Sequence, residues 1–281
     1  LYIIMFIILE AGLGNQLFQI FAGLSKCLDN KEKLYIYEKI INPHGNNLPY
    51  CNVFKFGKLD SNTIEYNIPY WDTLLINLKP MLVNYLPHNN IYKEPCFEYQ
   101  PIPNVDIIKG FFQSPKYFEH NWDKLKDYLT FPKDIPIQTK TISIHFRIGD
   151  YLNFKKSGDR HPILTEEYYL NAIKQFDNSY SYIVFIEKDS IDEMNRRFPN
   201  LLKSINYKIA NTITNIETDI DELQLMSKCE HNIIANSSFS WWGAYLNENE
   251  NKKVIYSSIW FSGHLINNDT QYLFKDNWIK I

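Results

Sequence analysis

The chain has 281 residues, 45% of them hydrophobic and 22% charged, which excludes a disordered protein and allows a core that needs no disulfide staples. A formal net charge of −3 leaves no basic surplus to neutralise a phosphate backbone; a general nucleic-acid binder is excluded, and a single anionic ligand is not. The four cysteines, Cys27, Cys51, Cys96 and Cys229, form no CxxC pair and are expected as buried free thiols rather than zinc ligands.

Tyr2 to Leu9 is an apolar run that stops at Glu10. It is too short to span a bilayer and lacks the basic flank and cleavage site of a signal peptide. A strand covered on both faces is expected, in a cytoplasmic protein. The turn Ala11-Gly12-Leu13-Gly14 follows, and Leu17, Ile20, Phe21, Leu24 and Leu28 then recur at helical spacing. Leu34 to Tyr37 reads as a second strand. The stretch from Ile41 to Pro103 is irregular and rich in Asn, Pro and Tyr. An aromatic loop runs from Gly110 to Phe118, and a helix is predicted from Asn121. Phe131 to Lys140, with two prolines and no periodicity, reads as a linker. Domains are therefore expected at 1–138 and 139–281.

Beyond that point strands and helices alternate. Strands are predicted at Thr141 to Phe146, Tyr182 to Ile186, Asn232 to Ala235 and Lys253 to Tyr256. Thr165 is expected to cap one helix. Ser190 with Glu193, and Asp219 with Glu222, have capping-box form, and Ser238 to Leu246 is a short helix. This alternation predicts a parallel, doubly wound α/β sheet, with ligands at the carboxyl ends of its strands.

Three segments fall at such ends. Gly12-Leu13-Gly14-Asn15-Gln16-Leu17 opens a helix whose N–H groups attract anions. As a dinucleotide fingerprint it lacks the third glycine, although Glu38 stands where a ribose-binding acid could sit; a tight turn without ligand explains it equally. In Ile144-His145-Phe146-Arg147-Ile148-Gly149-Asp150-Tyr151, strand alternation puts His145 and Arg147 on one face. The Arg147 fork suits phosphate oxygens, and a structural Arg–Asp pair is the plainer alternative. In Asn236-Ser237-Ser238-Phe239-Ser240-Trp241-Trp242-Gly243 three hydroxyls exceed what one helix cap needs, and the tryptophans serve as core or as a sugar platform. Asp219-Ile220-Asp221 has the form of the DxD of metal-dependent glycosyltransferases, but a helix start accounts for both acids. No metalloprotease, serine-hydrolase or P-loop pattern occurs.

Together these segments resemble glycosyltransferase family 11, the alpha-1,2-fucosyltransferases. The resemblance runs through Gly12–Gln19, Phe112–Phe118, His145–Tyr151, Glu167-Tyr168-Tyr169, Asn236–Gly243 and Trp260-Phe261, covering nearly the whole chain in order. It implies a GT-B fold of two Rossmann-like domains facing a cleft, with GDP-fucose as donor, inversion at the anomeric carbon and no metal or other cofactor. It also implies a nucleotide-binding C-terminal domain, with Arg147 on the pyrophosphate. Donor contacts would come from Gly14, Asn15, Gln16, Asp189, Ser237, Ser238, Phe239 and Ser240, and acceptor contacts from Gln113 and Trp241. The acceptor would be a galactose-containing glycan, fucosylated at its 2-hydroxyl, with further acceptor residues between Ile41 and Pro103. Neither nucleic acid nor a transmembrane segment is expected, and a peripheral membrane contact is left open. The chain departs from the family at Ile148, in place of a second arginine, and at Ile186-Glu187-Lys188-Asp189, in place of Ser-Asp-Asp. Ser257 replaces a proline and Ala11 a glycine.

Cleaving a sugar–diphosphate bond puts negative charge on the leaving phosphate, which Arg147 and the Ser237–Ser240 turn can stabilise. Asp150 and His145 are the candidate bases for the acceptor hydroxyl. Three alternatives stand beside this reading: a transferase of another GDP-sugar, a non-catalytic glycan-binding protein, and an NAD-dependent oxidoreductase.

Overall fold

The computed structural model describes residues 4–38, 91–153 and 159–281, and the chain divides into two compact units. The first holds Leu1–Pro132 with Gln271–Leu273, and the second holds Lys133–Thr270 with Phe274–Ile281. The break falls inside the proline-bearing stretch expected as a linker, whose last residues instead begin a strand. The expected acceptor residues between 41 and 90, with Cys51, lie outside the described residues.

In the first unit β1 (Ile4–Leu9) leads into α1 (Leu13–Asn30) and β2 (Lys33–Glu38). Two short strands follow, β3 (Ile91–Lys93) and β4 (Ile107–Lys109). The sheet order is β2-β1-β4-β3, all parallel. A parallel sheet buries both faces, which is why β1 reads as one apolar run. Helix α1 is buried along most of its length, with Leu17, Ile20, Phe21 and Leu24 at 1% exposure or less. Phe118 and Trp122 pack against its Phe21. The helix predicted from Asn121 is one turn, α2 (Trp122–Leu125), between two 3-10 turns. At residues 271–273 the chain returns to this unit. There Ser114 Oγ donates to the Tyr272 carbonyl (2.6 Å) and Lys116 Nζ lies 3.2 Å from the centre of the Tyr272 ring.

The second unit runs β5 (Gln138–His145), α3 (Glu166–Ile173), β6 (Ser181–Phe185), α4 (Ile191–Arg197), α5 (Pro199–Ser204) and β7 (Tyr207–Ile209). It continues through α6 (Asp219–Ser227), β8 (Cys229–Ile233), α7 (Ser238–Tyr245), β9 (Val254–Tyr256) and β10 (Ile279–Lys280). The sheet order β10-β9-β8-β5-β6-β7 is that of a Rossmann sheet, with the chain reversing direction between β5 and β8. Even-numbered residues of β5 and its extension (Ile142, Ile144, Phe146, Ile148) enter one core with Leu164, Tyr169 and Met194. Ile183 and Phe185 of β6 enter a second core with Leu225 and Met226 on the opposite face. The doubly wound architecture predicted by the alternation is present in this unit.

Local details differ from expectation. Thr165 caps α3 by accepting from the Tyr168 N–H (3.3 Å), as predicted. Ser190 makes no side-chain cap, and Glu193 pairs with Arg196 and Arg197 instead of closing a capping box. The box before α6 is formed by Thr218 and Asp221, one position ahead of the Asp219–Glu222 pairing expected. Cys27 and Cys229 are buried free thiols, whereas Cys96 is exposed. Among the described residues no helix is long and apolar enough to cross a membrane.

Candidate active site

In each unit the segments singled out by sequence meet where strand order reverses. In the second unit β5 and β8 are neighbours, with Ile144 opposite Ile233. The residues just past both ends, 146–151 and 234–240, therefore emerge side by side. This is the ligand-binding position of an open α/β sheet.

Arg147 is the centre of charge there. Its Nη2 lies 2.6 Å from Asp150 Oδ1, its Nη1 donates to Glu187 Oε1, and its guanidinium carbon lies 5.3 Å from the centre of the Tyr151 ring. Burial opposes the charge, but Glu187, Tyr151 and Asp150 more than offset it and raise the pKa. Sequence reasoning missed Glu187. Phe185 pairs with His145 across β5 and β6, so the residues two beyond each, Glu187 and Arg147, fall next to one another. Gly149 allows this approach, since a Cβ there would lie 3.1 Å from the Glu187 carboxyl carbon. Asp189 is exposed on the 3-10 turn Lys188–Ser190. Of that acidic turn it is Glu187, not Asp189, that reaches the arginine.

His145 shares the strand face of Arg147, as alternation predicts, and its ring centre lies 5.7 Å from that of Phe239. Burial, then the positive charge of Arg147, pushes its pKa down to about 3. Burial thus weakens His145 as a proton acceptor, the role expected of it from the sequence. Its Nδ1 is buried and has no hydrogen-bond partner. Ile148, where the family carries a second arginine, is fully buried in the core.

The second segment presents the start of α7. Ser237 is its N-cap residue but makes no side-chain cap, and no acid lies in the first turn. An uncapped helix start offers N–H groups to an anion. Ser240 is fully buried and its Oγ donates to backbone carbonyls of residues 235 and 237, so its hydroxyl holds the turn. Ser238 and Phe239 are half-buried. Trp241 is 0% exposed and stacks on Tyr245 at 4.8 Å, beside Trp242 and Trp278. It offers no face to a sugar: the structure makes it core and corrects its expected acceptor role.

Glu222, in the first turn of α6, was also missed as a perturbed group. Burial, then the negative charges of Asp219 and Glu187, pushes its carboxyl up to about 7. The neighbouring Asp221 is 1% exposed and accepts from the N–H groups of Glu217 and Thr218 and from Lys133. The DxD acids thus build a helix start. Among the described residues no group of three or more His, Cys, Asp or Glu converges as metal ligands would.

In the first unit the turn after β1 and the loop after β4 meet at the corresponding reversal. Gln113 Nε2 donates to Asn15 Oδ1 at 2.6 Å. Gln16 is 8% exposed and donates to the Ala11 carbonyl (2.8 Å), bracing the turn beside buried Gly14. Glu94, which the sequence did not single out, accepts from the N–H groups of Phe111 and Phe112 and fixes the loop that carries Gln113.

The sequence profile described as glycosyl transferase family 11 matches residues 92–281, more than half of the chain. The O-antigen biosynthesis glycosyltransferase WbnK of Escherichia coli is 27% identical, over 99% of this chain and 100% of its own length. An alpha-1,2-colitosyltransferase of Escherichia coli is 25% identical over 97% of each chain. Among solved structures, a mutant of Arabidopsis thaliana FUT1 in complex with GDP superposes with a TM-score of 0.50 at 12% identity, covering 90% of this chain and 70% of that one. At that identity the likeness shows the fold alone.

Proposed function

The chain belongs to glycosyl transferase family 11, a glycosyltransferase of GT-B fold, and we propose that it moves L-fucose from GDP-fucose to the 2-hydroxyl of a galactose in a glycan. The observation that carries this reading is the charged fork of Arg147 next to the uncapped start of α7, at the strand-order reversal of a Rossmann sheet. That arrangement suits a diphosphate. The bond between the anomeric carbon and the phosphate oxygen breaks with its electron pair on oxygen. Arg147 and the N–H groups of Ser238 and Phe239 receive that charge where it develops. The acceptor oxygen bonds to the opposite face of the anomeric carbon, inverting it. Its proton leaves at or after the transition state, and because burial holds the His145 pKa low, Asp150 is the base of this reading. Counter-charge is supplied by the protein, without a metal, and the enzyme works in the cytoplasm.

A second donor has a specific observation in its favour, the similarity to an alpha-1,2-colitosyltransferase. Colitose lacks the 3-hydroxyl of fucose, and a site that hydrogen-bonds that hydroxyl rejects the sugar without it. The test incubates the purified chain with lactose and either GDP-fucose or GDP-colitose, and reads GDP release and product mass. Fucosyl-lactose bearing an α-1,2 linkage is the expected product. Transfer of colitose alone would replace the donor, and release of neither product would end the reading.

A further inference from the structure

We propose that Tyr151 is a positioning residue that ties the Arg147 guanidinium to the turn opening α7, so that both meet one diphosphate at a fixed spacing. The proposal rests on the reading of Arg147 as the phosphate-binding arginine. Tyr151 lies in the 3-10 turn Gly149–Leu152, four residues past Arg147. Its ring lies against the Arg147 guanidinium, 5.3 Å from centroid to Cζ. Its hydroxyl donates to the Asn236 carbonyl at 2.9 Å, and Asn236 directly precedes the N-cap of α7.

Each end of this link is anchored. Asn236 is 1% exposed, and its amide donates to the carbonyls of Pro162 (2.9 Å) and Trp260 (3.2 Å). His161 stacks on the Tyr151 ring at 5.1 Å and 14°, with its Nδ1 3.4 Å from the Trp260 carbonyl. Burial raises the phenol pKa, so the hydroxyl keeps its proton and goes on donating to Asn236 through the neutral range. Asp150 and Glu187 hold the guanidinium by its nitrogens. Tyr151 connects one phosphate-binding segment to the other. A planar ring under a guanidinium also limits its swing, so less order is lost when phosphate binds.

The test is a double-mutant cycle on nucleotide binding, with dissociation constants for GDP and guanosine in the wild type, Tyr151→Phe, Arg147→Lys and the double variant. Tyr151→Phe keeps the ring and removes the hydroxyl. GDP affinity should fall about fivefold, the effect of one ordinary hydrogen bond. Guanosine, which has no phosphate, should bind within about twofold of wild type. In the Arg147→Lys background the same change should cost less than about twofold, because its effect passes through the guanidinium. Equal losses for GDP and guanosine, an unchanged GDP affinity, or the same loss in both backgrounds would overturn the proposal. So would loss of the fold in Tyr151→Phe, which would make the residue structural. Wild-type protein that binds neither GDP nor guanosine would instead overturn the GDP reading itself, and GDP binding indifferent to Arg147→Lys would overturn the role of Arg147.

Discussion

Glu187 accepts a hydrogen bond from Nη1 of Arg147 while Asp150 forms an ion pair with Nη2. One guanidinium thus answers two carboxylates, one from its own loop and one from the end of the next strand. Both keep it charged and aimed, and both compete with any phosphate that approaches. On the proposed reading, removing Arg147 therefore loses two things: the clamp on the leaving group, and the neutralisation of Asp150 and Glu187.

Arg147→Ala should lower transfer by about 100- to 1,000-fold, the usual cost of one preorganised donor at a developing charge. Arg147→Lys should rescue little, because a point charge cannot serve two directions as a fork does. Steady-state turnover with GDP-fucose checks this, and near-normal turnover in Arg147→Ala would remove the clamp from the mechanism.

Glu222 makes stability depend on pH with a defined sign. Its carboxyl titrates at about 7 in the folded protein against an ordinary value of 4.5. Between those values the folded state keeps a proton that the unfolded state has released. Stability contributed by this group is complete below the unfolded value and is lost as pH rises toward 7. Glu222→Gln should therefore raise the melting temperature at pH 8 and leave it nearly unchanged at pH 4.5. An equal shift at both pH values would show that ionisation of Glu222 is not the cause.

Trp241 should behave as core. Trp241→Ala is expected to cost about 3–5 kcal/mol of stability, the range for emptying a buried tryptophan site. The milder Trp241→Phe should lower the denaturation midpoint while leaving KM for the acceptor unchanged. A selective rise in acceptor KM without loss of stability would restore the sugar-platform role.

Ala11 holds a φ of 67° at the turn before α1, a position where the family has glycine. An L-residue in this left-handed region costs roughly 1–2 kcal/mol, and glycine gives back about half of that through its freer unfolded chain. Ala11→Gly should therefore stabilise the protein by up to about 1 kcal/mol. Destabilisation in urea unfolding would mean that the methyl group packs for more than the backbone strain.

Transfer should survive excess EDTA. The acids of the DxD sequence are occupied in starting α6, with Asp221 bound to backbone N–H groups and to Lys133. In the proposed mechanism Arg147 and the α7 N-terminus supply the counter-charge that a cation would otherwise bring. Activity lost on chelation and recovered with magnesium or manganese would refute this, most directly if Asp219→Asn abolished the recovery.

The alternation of apolar strands with amphipathic helices, read along the chain, determined the parallel α/β architecture of the second unit, because period and burial are local properties of the sequence. The Thr165 cap and the pairing of His145 with Arg147 on one strand face were legible for the same reason. The short strands β7 and β10 were not read from the sequence, because two or three residues carry little period. Only the tertiary structure decided what surrounds Arg147. Glu187 lies 40 positions away and arrives through the in-phase register of β5 and β6. Asn236, 85 positions from Tyr151, arrives because β8 is placed against β5. Burial was also decided in three dimensions: it lowers the pKa of His145 and raises that of Glu222, and it puts Trp241 in the core. Desolvation depends on which atoms of distant segments crowd a side chain, and a linear pattern does not contain that information.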